Sequence, residues 1–319
     1  MKVLITGATG LIGQEIVKLC LKKEIAVNYL TTSIAKIENS ENYKGFYWNP
    51  KKNDIDVNCF KGVDAIIHLA GATVSKRWTS SYKKEIIASR KETTELLVNA
   101  LKGETHTIKQ VISASAIGVY PDSLTNYYDE NFKTKETSFL SKVVKIWEAE
   151  VDAFSKLNIK VSKIRIGLVL STKGGALTEM LKPIKLGLGA AFGSGEQWQS
   201  WIHITDLSRM FVYVLKHQLE GVYNGVAPNP VTNLKLVKEI AKVLNKPLFL
   251  PNIPKFVMHT ILGEMAYILF ASQRVSSKKI EEEGFVFHYA NICQALGAIY
   301  DNEGECVDKK TKITKEFVS

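Results

Sequence analysis

The sequence predicts an α/β fold in which a parallel sheet is covered by helices on both faces, and three observations predict it. Apolar runs of strand length alternate with amphipathic stretches of helix length through residues 1–170. The first strand runs straight into Gly7, Gly10 and Gly13, spaced by three, with a helix behind them. Strands also end in small or hydroxyl residues, at Gly7, Gly71 and Ser115. Open parallel sheets bind their ligands at those carboxyl ends.

Each element follows from its residues. Val3, Leu4 and Ile5 form the apolar run of a buried parallel strand. Gly7 permits a tight turn, Gly10 lets backbone approach a diphosphate, and Gly13 allows helix and strand to pack closely. Gln14 to Leu21 reads as a helix with apolar Ile16, Val17, Leu19 and Leu21. Its N-terminus offers free N–H groups and a positive dipole end to a phosphate. The second strand is Ala26 to Thr31, and Lys44 to Pro50 reads as a short strand or a loop. Val63 to Gly71 is an apolar strand, Ser80 to Leu101 a long helix, and Gln110 to Ala116 the next strand. Phe139 to Leu157 carries Leu140, Val143, Val144, Trp147, Val151 and Phe154 at helical spacing, and Lys160 to Leu170 returns as a strand.

Beyond Ser171 the character changes. Gly174-Gly175 and Gly187-Leu188-Gly189 flank a short helix, Leu234 to Leu244 is another, and Pro247 to Pro254 leads into a final lobe. The expected division is a dinucleotide-binding domain over 1–245, a small C-terminal domain over 246–300 and a basic tail over 301–319. Residues 170–245 are expected to contribute to a substrate lobe.

Composition narrows the classes. Apolar residues at 45% and charged residues at 23% are ordinary for a globular protein, and 319 residues can bury a large core. No apolar run approaches the roughly 18 residues of a membrane span. Met1 leads directly into a strand, so no signal peptide is expected and the expected location is the cytoplasm. Cys20, Cys59, Cys293 and Cys306 form no CxxC pair and sit near no clustered histidines, which argues against a metal site or a disulfide framework. The formal charge of +10 raises nucleic acid as a partner, but Lys and Arg are spread along the chain. Their densest cluster is Lys309, Lys310, Lys312 and Lys315, and no basic stretch interleaves with aromatics. A solvated surface is the reading, with no nucleic acid and no membrane as partner. The sequence carries no signal for oligomeric state.

The end of the second strand bears on the choice of cofactor. An Asp or Glu there holds the ribose 2′-OH of NAD. This chain has Leu30-Thr31-Thr32-Ser33, with Lys36 close behind. No carboxylate repels a 2′-phosphate, Thr32 and Ser33 can donate to one, and Lys36 supplies charge. NADP is expected, with NAD as the alternative.

Taken together, these residues resemble a known family. Thr6-Gly7-Ala8-Thr9-Gly10-Leu11-Ile12-Gly13 and Leu69-Ala70-Gly71 are similar to the extended short-chain dehydrogenase/reductase superfamily. Arg77-Trp78, Tyr82-Lys83, Ser89-Arg90, Thr93-Thr94, Trp147-Glu148, the run Arg165 to Leu170 and Ser200-Trp201-Ile202-His203 resemble its atypical, epimerase-family branch. Gly263-Glu264-Met265, Ser272-Gln273-Arg274-Val275 and Gly284-Phe285-Val286-Phe287 resemble the small C-terminal domain of unknown function that this branch carries. The resemblance implies a Rossmann fold, a doubly wound parallel sheet with a smaller C-terminal α/β lobe, that binds NADP. It places cofactor contacts on Gly7, Ala8, Thr9, Gly10, Leu11, Ile12 and Gly13, on Thr31 and Thr32, and on Leu69, Ala70 and Gly71. It adds Glu85, Arg90 and Val169. The family has an arginine where this chain has Thr32.

The same resemblance puts the superfamily's catalytic Tyr and Lys at Leu140 and Val144, both apolar. Among all twelve tyrosines only Tyr47 has Lys at i+4, Lys51, and Pro50 between them breaks the shared helical face. The usual proton relay is missing. Ser115 stands where the superfamily keeps a hydroxyl for the substrate, or is a strand-end hydroxyl satisfied by backbone. Tyr120 is a replacement acid or a packed loop aromatic. Arg90 replaces an asparagine near the nicotinamide. His203 and Asp206 read as a structural junction or helix cap, and Lys142 and Lys145 as a solvated face. The 187–195 segment, with Gln197 and Trp198, reads as a mobile flap or a plain surface loop. Two functions follow: an NADP(H)-dependent oxidoreductase or epimerase acting on a small, possibly nucleotide-linked molecule, or an NADPH-binding regulatory or scaffold protein without chemistry.

Overall fold

The computed structural model describes residues 1–133 and 135–300. Seven parallel strands form its centre: β1 (Lys2–Thr6), β2 (Ala26–Thr31), β3 (Tyr43–Asn49), β4 (Ala65–His68), β5 (Gln110–Ala116), β6 (Lys160–Ile166) and β7 (Gly221–Gly225). Their order across the sheet is β7-β6-β5-β4-β1-β2-β3, the doubly wound order with its switch point between β1 and β4. Asn39–Ser40 and Asp54–Ile55 pair antiparallel with β3 at the edge. The middle strands are buried along nearly their whole length, which is why Val3–Ile5 and Ala65–Ile67 are continuous apolar runs.

Helices cover the sheet. α1 (Leu11–Lys22) packs with α5 (Ile204–Lys216), and α2 (Ser80–Gly103) packs with α3 (Phe139–Val151). The Lys44 to Pro50 stretch is a strand, β3, held by β2 from Val27↔Tyr43 to Thr31↔Tyr47. Two elements differ from expectation. The strand expected over Lys160 to Leu170 breaks at Gly167, where an added Cβ would stand 2.3 Å from the Ser200 carbonyl oxygen. The backbone of Ser200 needs that space, so Leu168–Leu170 leaves the sheet and pairs with Trp201–His203. The α3 helix ends at Val151, and Asp152–Leu157 continues as a tighter 3₁₀ segment.

A second core holds the smaller lobe. Leu177, Leu181 and Ile184 of α4 (Ala176–Lys185) pack with Leu236, Val237 and Ile240 of α6 (Asn233–Val243) and with Ile292, Ala295 and Leu296 of the helix Ile292–Ile299. Residues on both sides of position 245 therefore share one core. The segment 272–276 is threaded more deeply still: Arg274–Val275 pairs with Tyr127–Tyr128, and Gln273 bridges to Gln199.

Candidate functional site

The glycine turn is shaped by space. Gly7 adopts φ +70°, and an added Cβ would meet the Leu69–Ala70 peptide at 3.1–3.2 Å. At Gly13 a Cβ would stand 2.2 Å from the Gly7 carbonyl oxygen and 2.7 Å from Ala8 Cα, so only glycine fits. The Gly10 amide donates to the Gly7 carbonyl, and the first helical bond runs from Gln14 N–H to the Gly10 carbonyl. The amides of Leu11, Ile12 and Gly13 consequently have no partner within the helix. Thr9 and Gly10 are exposed, and no carboxylate lies in the first turn of α1. The turn presents amides and a positive dipole end to an anion. Above it, Gly174 and Gly175 approach Leu11, and Lys173 pairs with Glu15. Val169, partly buried in Leu168–Leu170, lies beneath that loop.

At the end of β2, Thr31 is buried and its hydroxyl accepts from Ser33 N–H at 3.2 Å. Thr32 and Lys36 are exposed and Ser33 partly so, with Ile34–Lys36 forming a 3₁₀ turn. These three polar groups are open to solvent at the carboxyl end of β2.

A buried chain of hydroxyls and one imidazole fixes the neighbouring strand ends. Thr6 Oγ1 accepts from the amides of Leu69 and Ala70, so its one hydrogen goes to His68 Nδ1 at 2.8 Å. Thr94 Oγ1 donates to the Arg90 carbonyl, so it accepts from His68 Nε2 at 3.1 Å. The bonding thereby assigns a neutral imidazole with its hydrogen on Nε2. Burial pushes the His68 pKa down to about 4.

Ser115, fully within β5, donates to Glu148 Oε1 at 2.6 Å. Arg165 holds the same carboxylate with two bonds, Nε to Oε1 at 2.8 Å and Nη2 to Oε2 at 2.9 Å. Burial works to raise the Glu148 pKa, but Arg165 outweighs it and the net direction is down. Arg165 Nη1 also donates to the Tyr120 hydroxyl, which donates to Asn224 Oδ1 at 2.8 Å. Asn224 Nδ2 then donates to the Ser276 carbonyl. Tyr120 is fully buried and stacks on Tyr128 at 5.2 Å, and burial pushes its pKa up to about 12. The phenol is thus enclosed, with its hydroxyl bonded on both sides. Of the two readings of Tyr120, this environment fits the packed loop aromatic better than the replacement acid.

On α3, Leu140 is partly buried beside Gly118 and Val144 is buried, so the places of the expected phenol and ammonium are apolar. Arg90 on α2 lies against Gly71 and stacks 4.8 Å over Trp147. Its Nη1 donates to the carbonyls of Ala72 and Ile86 at 3.2 and 3.0 Å. Burial lowers its pKa to about 10. Glu85 lies one turn earlier on α2, exposed.

The remaining candidates are architectural. His203 accepts from Thr205 N–H at the start of α5 and lies 4.1 Å from the Tyr289 ring. Asp206, wholly buried, pairs with Arg209 and accepts from the amides of His288 and Tyr289. Lys142 and Lys145 are exposed. Much of the 187–197 segment is stitched down rather than free. Phe192 N–H donates to Asn233 Oδ1, Gly193 N–H to the Ile253 carbonyl, and Gln197 Nε2 to the carbonyls of Phe192 and Leu269. Leu188, like Leu186 just before the segment, is an exposed large apolar side chain.

Among the described residues no cluster of three or more His, Cys, Asp or Glu is placed to hold a metal, and no helix is long and apolar enough to cross a membrane. Cys20 and Cys59 are buried free thiols. Cys306 and the basic tail lie outside the described residues.

Fold and turn together define a dinucleotide-binding α/β protein. The model of the NAD dependent epimerase/dehydratase family matches residues 3–225, and that of a domain of unknown function, DUF1731, matches residues 253–299. The chain belongs to the NAD dependent epimerase/dehydratase family. Epimerase family protein SAR0825 of Staphylococcus aureus (strain MRSA252) is 35% identical over 294 residues, 92% of this chain and 97% of the relative. The crystal structure of human epimerase family protein SDR39U1 (isoform2) with NADPH superposes with a TM-score of 0.81 at 29% identity, covering 95% of this chain and 100% of that one. A nucleoside-diphosphate sugar epimerase from Corynebacterium glutamicum gives 0.74 at 28%, covering 94% of this chain and 58% of that one.

Sequence reasoning missed the His68 relay and the Glu148–Arg165 pair. All three residues stand in or beside stretches that carry the family resemblance. Their partnerships cross between separate elements, so no local spacing reveals them.

Proposed function

We propose that this chain binds NADPH across the Gly7–Gly13 turn and works as a nicotinamide-dependent oxidoreductase on a small molecule. The observation that carries the reading is Gly13, whose lack of a side chain brings α1 onto the turn and leaves three helix amides for a diphosphate. Thr32, Ser33 and Lys36 are the groups for the 2′-phosphate, and Leu69, Ala70, Gly71 and Arg90 line the path toward the nicotinamide. NADPH was bound in the SDR39U1 crystal, which supports that choice of coenzyme. The coenzyme supplies the hydride. The chain's own part is to bind and orient it, to close water out with the 173–175 loop, and to keep Ser115 fixed through Glu148.

Epimerisation of a sugar is the weaker reading, because it needs a base at the reacting hydroxyl and Leu140 and Val144 provide none. Calorimetry with NADPH and NADH tests the proposal. Binding of NADPH in the micromolar range by the native chain, lost in a folded Gly10→Glu variant, is expected. Equal heats for both proteins would overturn it.

A further inference from the structure

We infer that Arg90 is an anion-stabilising group at the reacting end of the cleft, and that the substrate is a flat, conjugated acceptor of the quinone type. The inference deepens the coenzyme reading above and rests on it. Three observations carry it.

The first is position. His68 is level with Ser113 in the β4–β5 register, so Gly71 stands one residue beyond the level of Ser115. A Cβ on Gly71 would lie 3.3–3.4 Å from Arg90 Cγ and Cζ, which places the guanidinium beside that strand end. The second is vacancy in the bonding. Nη1 is used by two carbonyls, but Nε is buried without a partner, and so is Nε1 of Trp147 beneath it. Two buried donors left unpaired are costly unless a ligand acceptor meets them.

The third is that the nearby groups that could give a proton are missing or already bonded. Leu140 and Val144 have no ionisable group, Ser115 gives its hydrogen to Glu148, Tyr120 to Asn224, and His68 is locked neutral between two threonines. Around the place of the missing phenol lie Trp78, Phe139, Leu140, Met265, Tyr267 and Tyr82, whose hydroxyl donates to the Thr73 carbonyl, a largely aromatic wall.

A cation beside an aromatic wall that lacks the Tyr–Lys relay suits one kind of acceptor. When an isolated carbonyl accepts a hydride it becomes an alkoxide, whose conjugate acid is about as weak as water. It needs an acid at hand. A quinone becomes a phenolate-type anion, whose conjugate acid titrates near pH 10. In the balanced step a C–H bond of the reduced nicotinamide breaks, and its hydrogen moves with both electrons to form an O–H bond on the quinone. The hydroquinone anion remains beside Arg90 and takes its second proton from water on release.

The test uses 4-nitrophenol, a redox-inert mimic of that anion whose phenolate absorbs visible light. Titrated into the full chain with and without NADPH, it is expected to bind as phenolate, its apparent pKa about one unit below that in buffer. Arg90→Leu should abolish the shift, and Arg90→Lys should restore most of it. Leu140→Glu, which puts a carboxylate on the same wall, should turn binding toward the neutral phenol even if Arg90→Leu fails to fold. In parallel, NADPH should be oxidised at least tenfold faster by a benzoquinone than by an aliphatic ketone, with a solvent isotope effect near one. Binding as neutral phenol, an unchanged shift in folded Arg90→Leu, no binding at all, or faster turnover of the ketone would overturn the inference. A nitrophenolate site without any heat from NADPH would overturn the coenzyme reading and leave the anion site standing.

Discussion

Single residues set the limits of this site. Gly13 tolerates no side chain, because even a methyl group would overlap the Gly7 carbonyl at 2.2 Å. Gly13→Ala is expected to destabilise the fold by about 1–3 kcal/mol as α1 is levered outward, and calorimetry should register at least a tenfold loss of NADPH affinity. Tyr120 makes the opposite kind of prediction. Tyr120→Phe should leave turnover within twofold of native, since the phenol is enclosed. It should lower stability to urea by about 1–2 kcal/mol, because Asn224 Oδ1 and Arg165 Nη1 lose a partner. A collapse in turnover with unchanged stability would contradict that. His68 and His203 predict the pH response. Burial holds both imidazoles down to about 4, against 6.5 for the ordinary side chain. Between those values the unfolded chain binds more protons than the folded one. Stability is therefore complete above about pH 6.5 and is lost as the pH falls toward 4. Urea midpoints should drop from pH 7.5 to pH 5, and a folded His68→Gln variant should show a shallower drop; equal slopes would contradict the assignment. The glycines were legible in the sequence because the steric demand is written in the residue type itself. The role of His68 was not, since it depends on Thr6 and Thr94 meeting it from two other elements.

At the scale of elements, β1, β2, β4, β5 and α2 were legible because buried parallel strands and long amphipathic helices leave strong local patterns. β7 was not, since Gly221–Gly225 is five residues bounded by glycines and its place is set by pairing with β6. α5 begins at Ile204, inside the Trp201 to Asp206 stretch that reads as a junction, so its start has no separate local signal. The break at Gly167 reflects the nearness of Ser200, more than thirty residues away in sequence. Two predictions belong here. Arg165 on β6 and Glu148 on α3 fasten strand to helix, and Arg165→Met leaves a buried carboxylate uncompensated. A loss of about 3–5 kcal/mol in urea unfolding is expected, and a loss under 1 kcal/mol would mean the pair matters little. At the end of β2, Thr32→Glu places a carboxylate where the 2′-phosphate is proposed to sit. The ratio of NADPH to NADH affinity should fall at least tenfold, roughly 1.4 kcal/mol, and an unchanged ratio would remove Thr32 from the coenzyme site.

Over the whole molecule, the two matched family regions are interlocked. Asp206, at the start of α5, binds the amides of His288 and Tyr289, and the Ser200 hydroxyl donates to the Gln273 carbonyl while accepting from Val275 N–H. The buried network that begins at Ser115 ends on Ser276. Asp206→Ala should lower stability by about 2–4 kcal/mol through two unpaired amides, with proteolysis appearing first around residues 285–291. Cleavage elsewhere would show that Asp206 does not fasten this segment. The interlocking also has a consequence in time. The central sheet can collapse while the chain is still being made, but residues 272–289 supply the last stitches behind Ser115 and Tyr120. A nascent chain still lacking them on the ribosome has the glycine turn but not yet the segment that closes the buried network behind Ser115 and Tyr120.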